Sequence, residues 1–237
     1  MQVWEKIYKE IGHKKIVLIL KSKKYKRILE FLLKPDKKVV RLVPIIKKRK
    51  YKKILDLGCG CGRHMVYLGK KKLSIVGLDI SSTALKIAQK WLEEEKVKNY
   101  FLVEHDMIKL PFPDNHFDVI VSINVIHHNP LKKIRKTVNE IRRVLKKGGI
   151  TLLTLSSTKD WKFGEGRKIE KNTYATPGSE HSPKVKGKII HHFFDKSSVK
   201  KLFSKFKIIK LEEEIIDLNI EGIIKKNAHW VVLCQKS

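Results

Sequence analysis

Three glycines at alternate positions, Gly58, Gly60 and Gly62, follow the apolar run Ile54 to Leu57 in the stretch K-I-L-D-L-G-C-G-C-G-R-H, residues 53–64. A buried parallel strand passes into a helix through such a turn. Each missing side chain leaves room for a ligand that lies against the backbone. The chemistry that suits this loop is the holding of a ligand by backbone contact. A dinucleotide site would need G-x-G-x-x-G, with its third glycine where helix and strand pack closest. Counted from Gly58, that position is Arg63, whose long stem does not fit the contact. The phosphate-loop pattern G-x-x-x-x-G-K-S/T is absent. Taken alone, the motif also admits a glycine loop with no ligand.

Further polar residues fall at comparable places downstream. Asp79 closes the apolar stretch Ser74 to Asp79, 17 positions after Gly62, where an acid accepts hydrogen bonds from ribose hydroxyls. Ile80 follows and suits the face of an adenine. Asp106 and Met107 come after a third apolar stretch, and Asn124, His127 and His128 after a fourth. A histidine with a near-neutral pKa could take a proton from an acceptor. Equally, His127 could hydrogen-bond backbone or cofactor.

The elements that must position these residues read as strands and helices in alternation. Strands are expected at Ile54–Leu57, Ser74–Asp79, Tyr100–Val103, Phe117–Asn124 and Ile150–Leu155. A helix Thr83–Glu95, with Leu85, Ala88 and Leu92 at helical spacing, takes its cap from Ser81 or Ser82. Another, Leu131–Lys146, is expected to stop at Gly148-Gly149 as a left-handed C-terminal cap. This rhythm predicts a parallel sheet with helices on both faces and ligands at the carboxyl ends of the strands.

In order, D-L-G-C-G-C-G, G-L-D-I-S, H-D-M-x-x-L-P-F-P-D-N-x-F-D and R-x-L-K-x-G-G resemble the motifs of class I S-adenosylmethionine (SAM) methyltransferases. The similarity is to the small, free-standing kind, type 11 or tellurite-resistance-methyltransferase-like, and spans roughly Ile54 to Leu155. The resemblance implies a Rossmann-like α/β fold. Its seven-stranded, mostly parallel sheet ends in an antiparallel C-terminal pair, for which Phe206–Leu211 and Trp230–Cys234 read as short strands. It implies SAM as cofactor and S-adenosylhomocysteine as product. It places Asp56 and the Gly58, Gly60, Gly62 loop at the methionine portion and sugar edge, and Asp79 at the ribose. Asp106 and the Met107 backbone go to the adenine, and Asn124 lies beneath the methionine end. His127 is the candidate catalytic base. The N-P-P-Y type tetrad of amide and exocyclic-amine methyltransferases is missing after strand four.

Composition sets outer limits. A chain of 237 residues with 42% apolar content fits one methyltransferase domain. Its expected parts are an N-terminal helical cap 1–50, a SAM-binding core 51–155, and a lid loop with C-terminal strands 156–237. The sequence has no run of eighteen apolar residues that could cross a membrane as a helix, and Ile16–Leu20 is too short for a signal core, so a cytoplasmic protein is expected. Cys59, Cys61 and Cys234 suggest neither a disulfide nor a metal site. The net charge is +29, and residues 1–53 carry 19 Lys/Arg against 4 Asp/Glu. Two readings stand: a field that gathers nucleic-acid phosphates, or a chain-wide preference for lysine of the kind heat-adapted proteins show.

In the N-terminal segment Trp4 and Tyr8, one helical turn apart, could cover a sulfonium or simply pack. Residues 156–192 hold Gly164, Gly166, Pro177, Gly178, Pro183 and Gly187 and read as a long irregular loop. Its polar candidates for acceptor contact are Asn172, Thr173, His191 and His192. The expected activity is methyl transfer from SAM to a small-molecule acceptor. RNA methylation, or SAM binding without turnover, are the alternatives.

Overall fold

The computed structural model describes residues 33–177, 188–220 and 222–237. Trp4, Tyr8 and the rest of residues 1–32 of the expected cap lie outside them. The described chain divides into two compact units, residues up to 107 and residues from 108 onward.

The described part of the first unit includes α1 (Lys37–Lys48), whose N-terminus is capped by Asp36: its carboxylate accepts the Lys38 N–H at 2.8 Å. Val39, Leu42, Val43 and Ile46 form the buried face of α1. Then come β1 (Lys53–Leu57), α2 (Arg63–Gly69), β2 (Ser74–Asp79), α3 (Ser82–Glu94) and β3 (Tyr100–Glu104). Strands β1, β2 and β3 run parallel, Leu57 opposite Leu78 and Asp79 opposite Glu104. Ser81 caps α3 by accepting the Ala84 N–H at 3.1 Å, while Leu85, Ala88 and Leu92 are buried at helical spacing.

The second unit holds β4 (Phe117–Ser122), α4 (Leu131–Val144), β5 (Leu145–Ser156), β6 (Arg167–Glu170), β7 (Thr173–Pro177), β8 (Lys188–His192), α5 (Lys196–Leu202), β9 (Lys207–Ile220) and β10 (Ile223–Gln235). Among the described residues seven strands form one sheet in the order β3-β2-β1-β4-β5-β10-β9. β10 runs antiparallel to both β5 and β9. This is the expected Rossmann-like, mostly parallel seven-stranded sheet with an antiparallel C-terminal pair.

The structure corrects several boundaries. Strand four ends at Ser122, and Asn124 stands beyond it at φ 60°, a left-handed conformation that asparagine tolerates. The helix Leu131–Lys146 ends instead at Val144, and Leu145 is already extended. Gly148 does have a positive φ of 76°, yet it lies inside β5 rather than capping a helix. Between Leu145, opposite Phe117, and Ile150, opposite Val119, β5 carries extra residues that bulge outward. At Gly149 a Cβ would come within 2.9 Å of the Asp118 carbonyl, so this bulge requires glycine.

The stretch 156–192 is not an irregular loop throughout. It contains a second sheet, β6-β7-β8, all antiparallel. Lys171-Asn172 makes the turn between Glu170 and Thr173, with Asn172 at φ 58°. The C-terminal strands are also longer than expected, 14 residues in β9 and 13 in β10. Polar residues such as Glu212 to Glu214 and Lys225-Lys226 interrupt the apolar pattern there. The ladder between the two strands continues regardless, because backbone hydrogen bonds do not depend on side-chain polarity.

Candidate functional site

In the first unit the glycine loop is fastened from below. Gly58 and Cys59 donate their N–H groups to the Leu78 carbonyl at 2.7 and 3.1 Å. The Gly60 N–H donates to Asp79 Oδ2 at 2.8 Å, and the Ser81 N–H to Asp79 Oδ1 at 3.0 Å. Asp79 therefore joins two turns, one after β1 and one after β2, while keeping further lone pairs on both oxygens. Burial pushes its carboxyl above the usual range. The N–H groups of Ser81, Gly60 and Ile80 oppose that push, and the charge of Asp56 adds to it.

The glycines divide the work. Gly62 has φ 87°, and a Cβ there would lie 2.9 Å from the Ala88 side chain, so Gly62 also serves the close approach of α2 and α3. Met65 is fully buried under the loop beside Gly77, where any side chain would strike its sulfur. Cys59 and Cys61 are buried in the loop; burial raises both thiols, Cys61 to about 12. They are poor nucleophiles in that state.

Asp56, at the end of β1, is 1% exposed. The His64 Nδ1, from the first turn of α2, stands 3.7 Å from its Oδ2. Among the described residues, neither Asp56 Oδ2 nor His64 Nε2 has a hydrogen-bond partner. Two buried polar atoms left open beside a glycine turn are what a polar ligand head would satisfy. Ile80, Asp106 and Met107 are half-buried in the same unit. The His105 N–H donates to the Asp79 carbonyl at 3.0 Å, which sets the start of the Asp106-Met107 turn against the end of β2.

Asn124 and His127 lie in the second unit. The Asn124 N–H donates to Thr154 Oγ1 at 2.7 Å, and Thr154 Oγ1 donates back to Asn124 Oδ1 at 2.9 Å. This reciprocal pair holds the left-handed residue. His127 is 2% exposed, and its Nδ1 has no hydrogen-bond partner among the described residues. Burial pushes it well below the ordinary imidazole value, helped by His128, His229 and His191. The near-neutral base anticipated at this position is thus a neutral, weakly basic imidazole. His192 donates its backbone N–H to the His127 carbonyl at 2.8 Å. Its ring Nδ1 meets Thr173 Oγ1 at 2.6 Å, and Thr173 donates to Glu170 at 3.0 Å.

Sequence reasoning missed His64, Thr154 and His229. His64 directly follows the glycine motif but belongs to no spacing rule. Thr154 and His229 reach their partners only through strand pairing. Among the described residues no group of three or more His, Cys, Asp or Glu is arranged to hold a metal ion.

Residues 54–149 match the methyltransferase domain family. The chain is 32% identical over 98 residues to an uncharacterized methyltransferase, YcgJ, of Bacillus subtilis, covering 41% of this chain and 38% of the relative. It is 28% identical over 177 residues to the tRNA N(3)-cytidine methyltransferase METTL2 of Danio rerio, covering 70% of this chain and 47% of that protein. Its fold is similar to that of a SAM-dependent methyltransferase from Methanosarcina mazei, with a TM-score of 0.66 at 24% identity over 81% of this chain and 97% of that one. The chain spans under half the length of these two curated relatives.

Proposed function

We propose that this chain, whose residues 54–149 match a methyltransferase domain family, is a class I SAM-dependent methyltransferase that transfers a methyl group from SAM to a small-molecule acceptor. The observation that carries the reading is the fastened glycine loop with open polar atoms beside it: Gly60 tied to Asp79 at 2.8 Å, and Asp56 Oδ2 and His64 Nε2 without partners among the described residues. These groups fit a nucleoside joined to an amino-acid head. Asp56, Gly58, Gly60 and Gly62 would hold the methionine portion and sugar edge, Asp79 the ribose hydroxyls, and Ile80, Asp106 and Met107 the adenine. Asn124 would lie at the methionine end.

When bound, SAM supplies a methyl group already activated on a sulfonium. The protein must place an acceptor in line with the breaking bond and exclude water, and such positioning contributes roughly 7–11 kcal/mol. A low-basicity His127 suits hydrogen bonding to the acceptor better than full deprotonation of it. Support for a small acceptor comes from the polar side chains of the second unit: His127, His191 and His192 are all under 7% exposed. The described residues contain no helix long and apolar enough to cross a membrane. The three cysteines are free thiols, which supports a cytoplasmic setting.

A second reading, RNA as acceptor, is favoured by the extent of the match to METTL2, 70% of this chain, and by the net charge of +29. Incubation with labelled SAM and separate small-molecule and RNA extracts decides between them. Label in a small-molecule fraction is expected. Label in RNA alone would replace the first reading with the second, and SAM binding with no labelled product would leave a binding protein.

A further inference from the structure

The exposed face of α4 carries charge of one sign. The helix holds six cations and one acid, and that acid, Glu140, is paired with Arg143 at 2.7 Å. Ile134, Val138, Ile141 and Val144 form its buried side, and Lys132, Arg135 and Lys136 stand in solvent. Lys132 and Lys136 are one turn apart, where like charges repel. The first turn has no acid, although this end of a helix disfavours cations. By contrast α3, one residue shorter, is balanced: Lys86 and Lys90 stand against Glu93 and Glu94. A uniform preference for lysine does not produce that difference. In the second unit Glu212, Glu213, Glu214 and Asp217 stand together on β9 instead.

The small sheet of the same unit continues this surface. The Leu131 N–H donates to Glu170 Oε1 at 2.7 Å, which fastens the start of α4 to the end of β6. Arg167 and Lys168 of β6 and Lys171 of the following turn are exposed. Two acids share the stretch: Glu165 precedes β6, and Glu170 also accepts the Thr173 hydroxyl at 3.0 Å. Among the described residues Lys132, Lys136, Lys168 and Lys171 make no ion pair. Lys168 lies opposite Tyr174 in the β6–β7 ladder. The Tyr174 ring meets that of Phe163 at 5.6 Å, nearly at right angles, and Phe163 is 38% exposed. Unpaired cations beside an open aromatic ring complement a strand whose phosphates and bases are both accessible. A duplex hides its bases and would use the cations alone.

We propose that Lys132, Arg135, Lys136, Lys168, Lys171 and Phe163 form a docking surface for single-stranded nucleic acid, the cations taking phosphates and Phe163 stacking on a base. The surface does not rest on the methyl-transfer reading: it binds a strand whichever acceptor is methylated. Each phosphate contact on a single strand contributes about −0.7 to the slope of log affinity against log salt, so five cations give a slope of about −3.5.

The test is fluorescence anisotropy of the full chain, without SAM, against labelled oligouridylate and oligodeoxythymidylate of about twelve nucleotides, a length that one such surface can span. An RNA duplex of equal length and phosphatidylserine vesicles are measured beside them. The single strands are expected to bind with the salt slope above, and the duplex roughly tenfold more weakly or worse. Preference for one strand would name RNA or DNA as the partner, and equal binding would mark a surface that takes both; each supports the proposal. Lys132→Gln with Lys136→Gln is expected to weaken binding roughly tenfold or more near about 0.1 M salt and to reduce the slope by about 1.4. The same variant should keep or raise the Tm, because it removes a repulsion. Lys86→Gln with Lys90→Gln on α3 removes equal charge elsewhere and is expected to leave affinity nearly unchanged. Phe163→Leu keeps an apolar side chain against Tyr174 and is expected to weaken binding several-fold at unchanged slope. No binding of single strands, equal loss in the two lysine pairs, full affinity in Phe163→Leu, a duplex bound as tightly, or vesicle binding alone would overturn the surface. Methyl transfer is read separately, in the labelled-SAM incubation, so either reading can fail without the other.

Discussion

Asp79 Oδ2 accepts the backbone N–H of Gly60 at 2.8 Å across 19 positions of sequence. One carboxylate thus closes the turn after β1 onto the end of β2, and its other oxygen holds the N–H of Ser81. An acid expected to meet only a ribose also shapes the loop that would meet the rest of the nucleoside.

Asp79→Ala removes both of these hydrogen bonds. A hydrogen bond to a charged group contributes about 1.5–3 kcal/mol, so SAM affinity should fall by roughly ten- to 150-fold, with a lowered Tm. Calorimetry giving wild-type affinity in this variant would remove Asp79 from the site.

Gly62→Ala places a Cβ 2.9 Å from the Ala88 side chain at a residue whose φ is 87°. The left-handed backbone costs roughly 1–2 kcal/mol for a non-glycine residue, and the overpacking about 1–3 kcal/mol more. The companion change Ala88→Gly should recover the packing part only. Urea unfolding of the single and double variants reads both; equal stability of all three proteins would show that the contact is unimportant.

The buried histidines make stability fall with acid. Burial lowers His192 to about 4, with Arg135 also lowering it and Glu170 opposing, and it lowers His127 and His128 well below the ordinary value. Between about pH 6.5 and pH 4 the unfolded chain binds protons that the native His192 refuses, so stability is present above this window and is lost as pH falls through it. Thermal melts from pH 8 to pH 4 should show a falling Tm, with a shallower slope in His192→Gln. A Tm independent of pH in this range would contradict the neutral state of these rings.

The basic turn Lys47, Lys48, Arg49 and Lys50 is exposed at the end of α1, where Lys47 and Lys48 complement the helix dipole. With a small acceptor, changing all four to glutamine should lower stability by about 0.3–1 kcal/mol and leave turnover nearly unchanged, since exposed charges are screened beyond about 8–10 Å. A steep loss of activity, together with a salt-dependent RNA complex in the parent protein, would favour RNA as the acceptor.

The residues of one turn and its flanking strands speak for themselves in the sequence. Apolar runs leading to Gly58, Asp79 and Asp106 foretold three parallel strands. Burial pattern, capping and left-handed glycines are local consequences of residue type, and Ser81 capping α3 is one of them. Tertiary structure alone decided the partners. Asp79 reaches Gly60 through β1–β2 pairing, Asn124 trades hydrogen bonds with Thr154 through β4–β5 pairing, and His229 joins His127 from about a hundred positions away. The sheet β6-β7-β8 was hidden for a related reason: glycines and prolines at its borders outweighed a short alternation that only strand pairing stabilises. The basicity of His127 likewise depends on neighbours assembled from distant strands, since desolvation and charge act through space and leave no trace in local spacing.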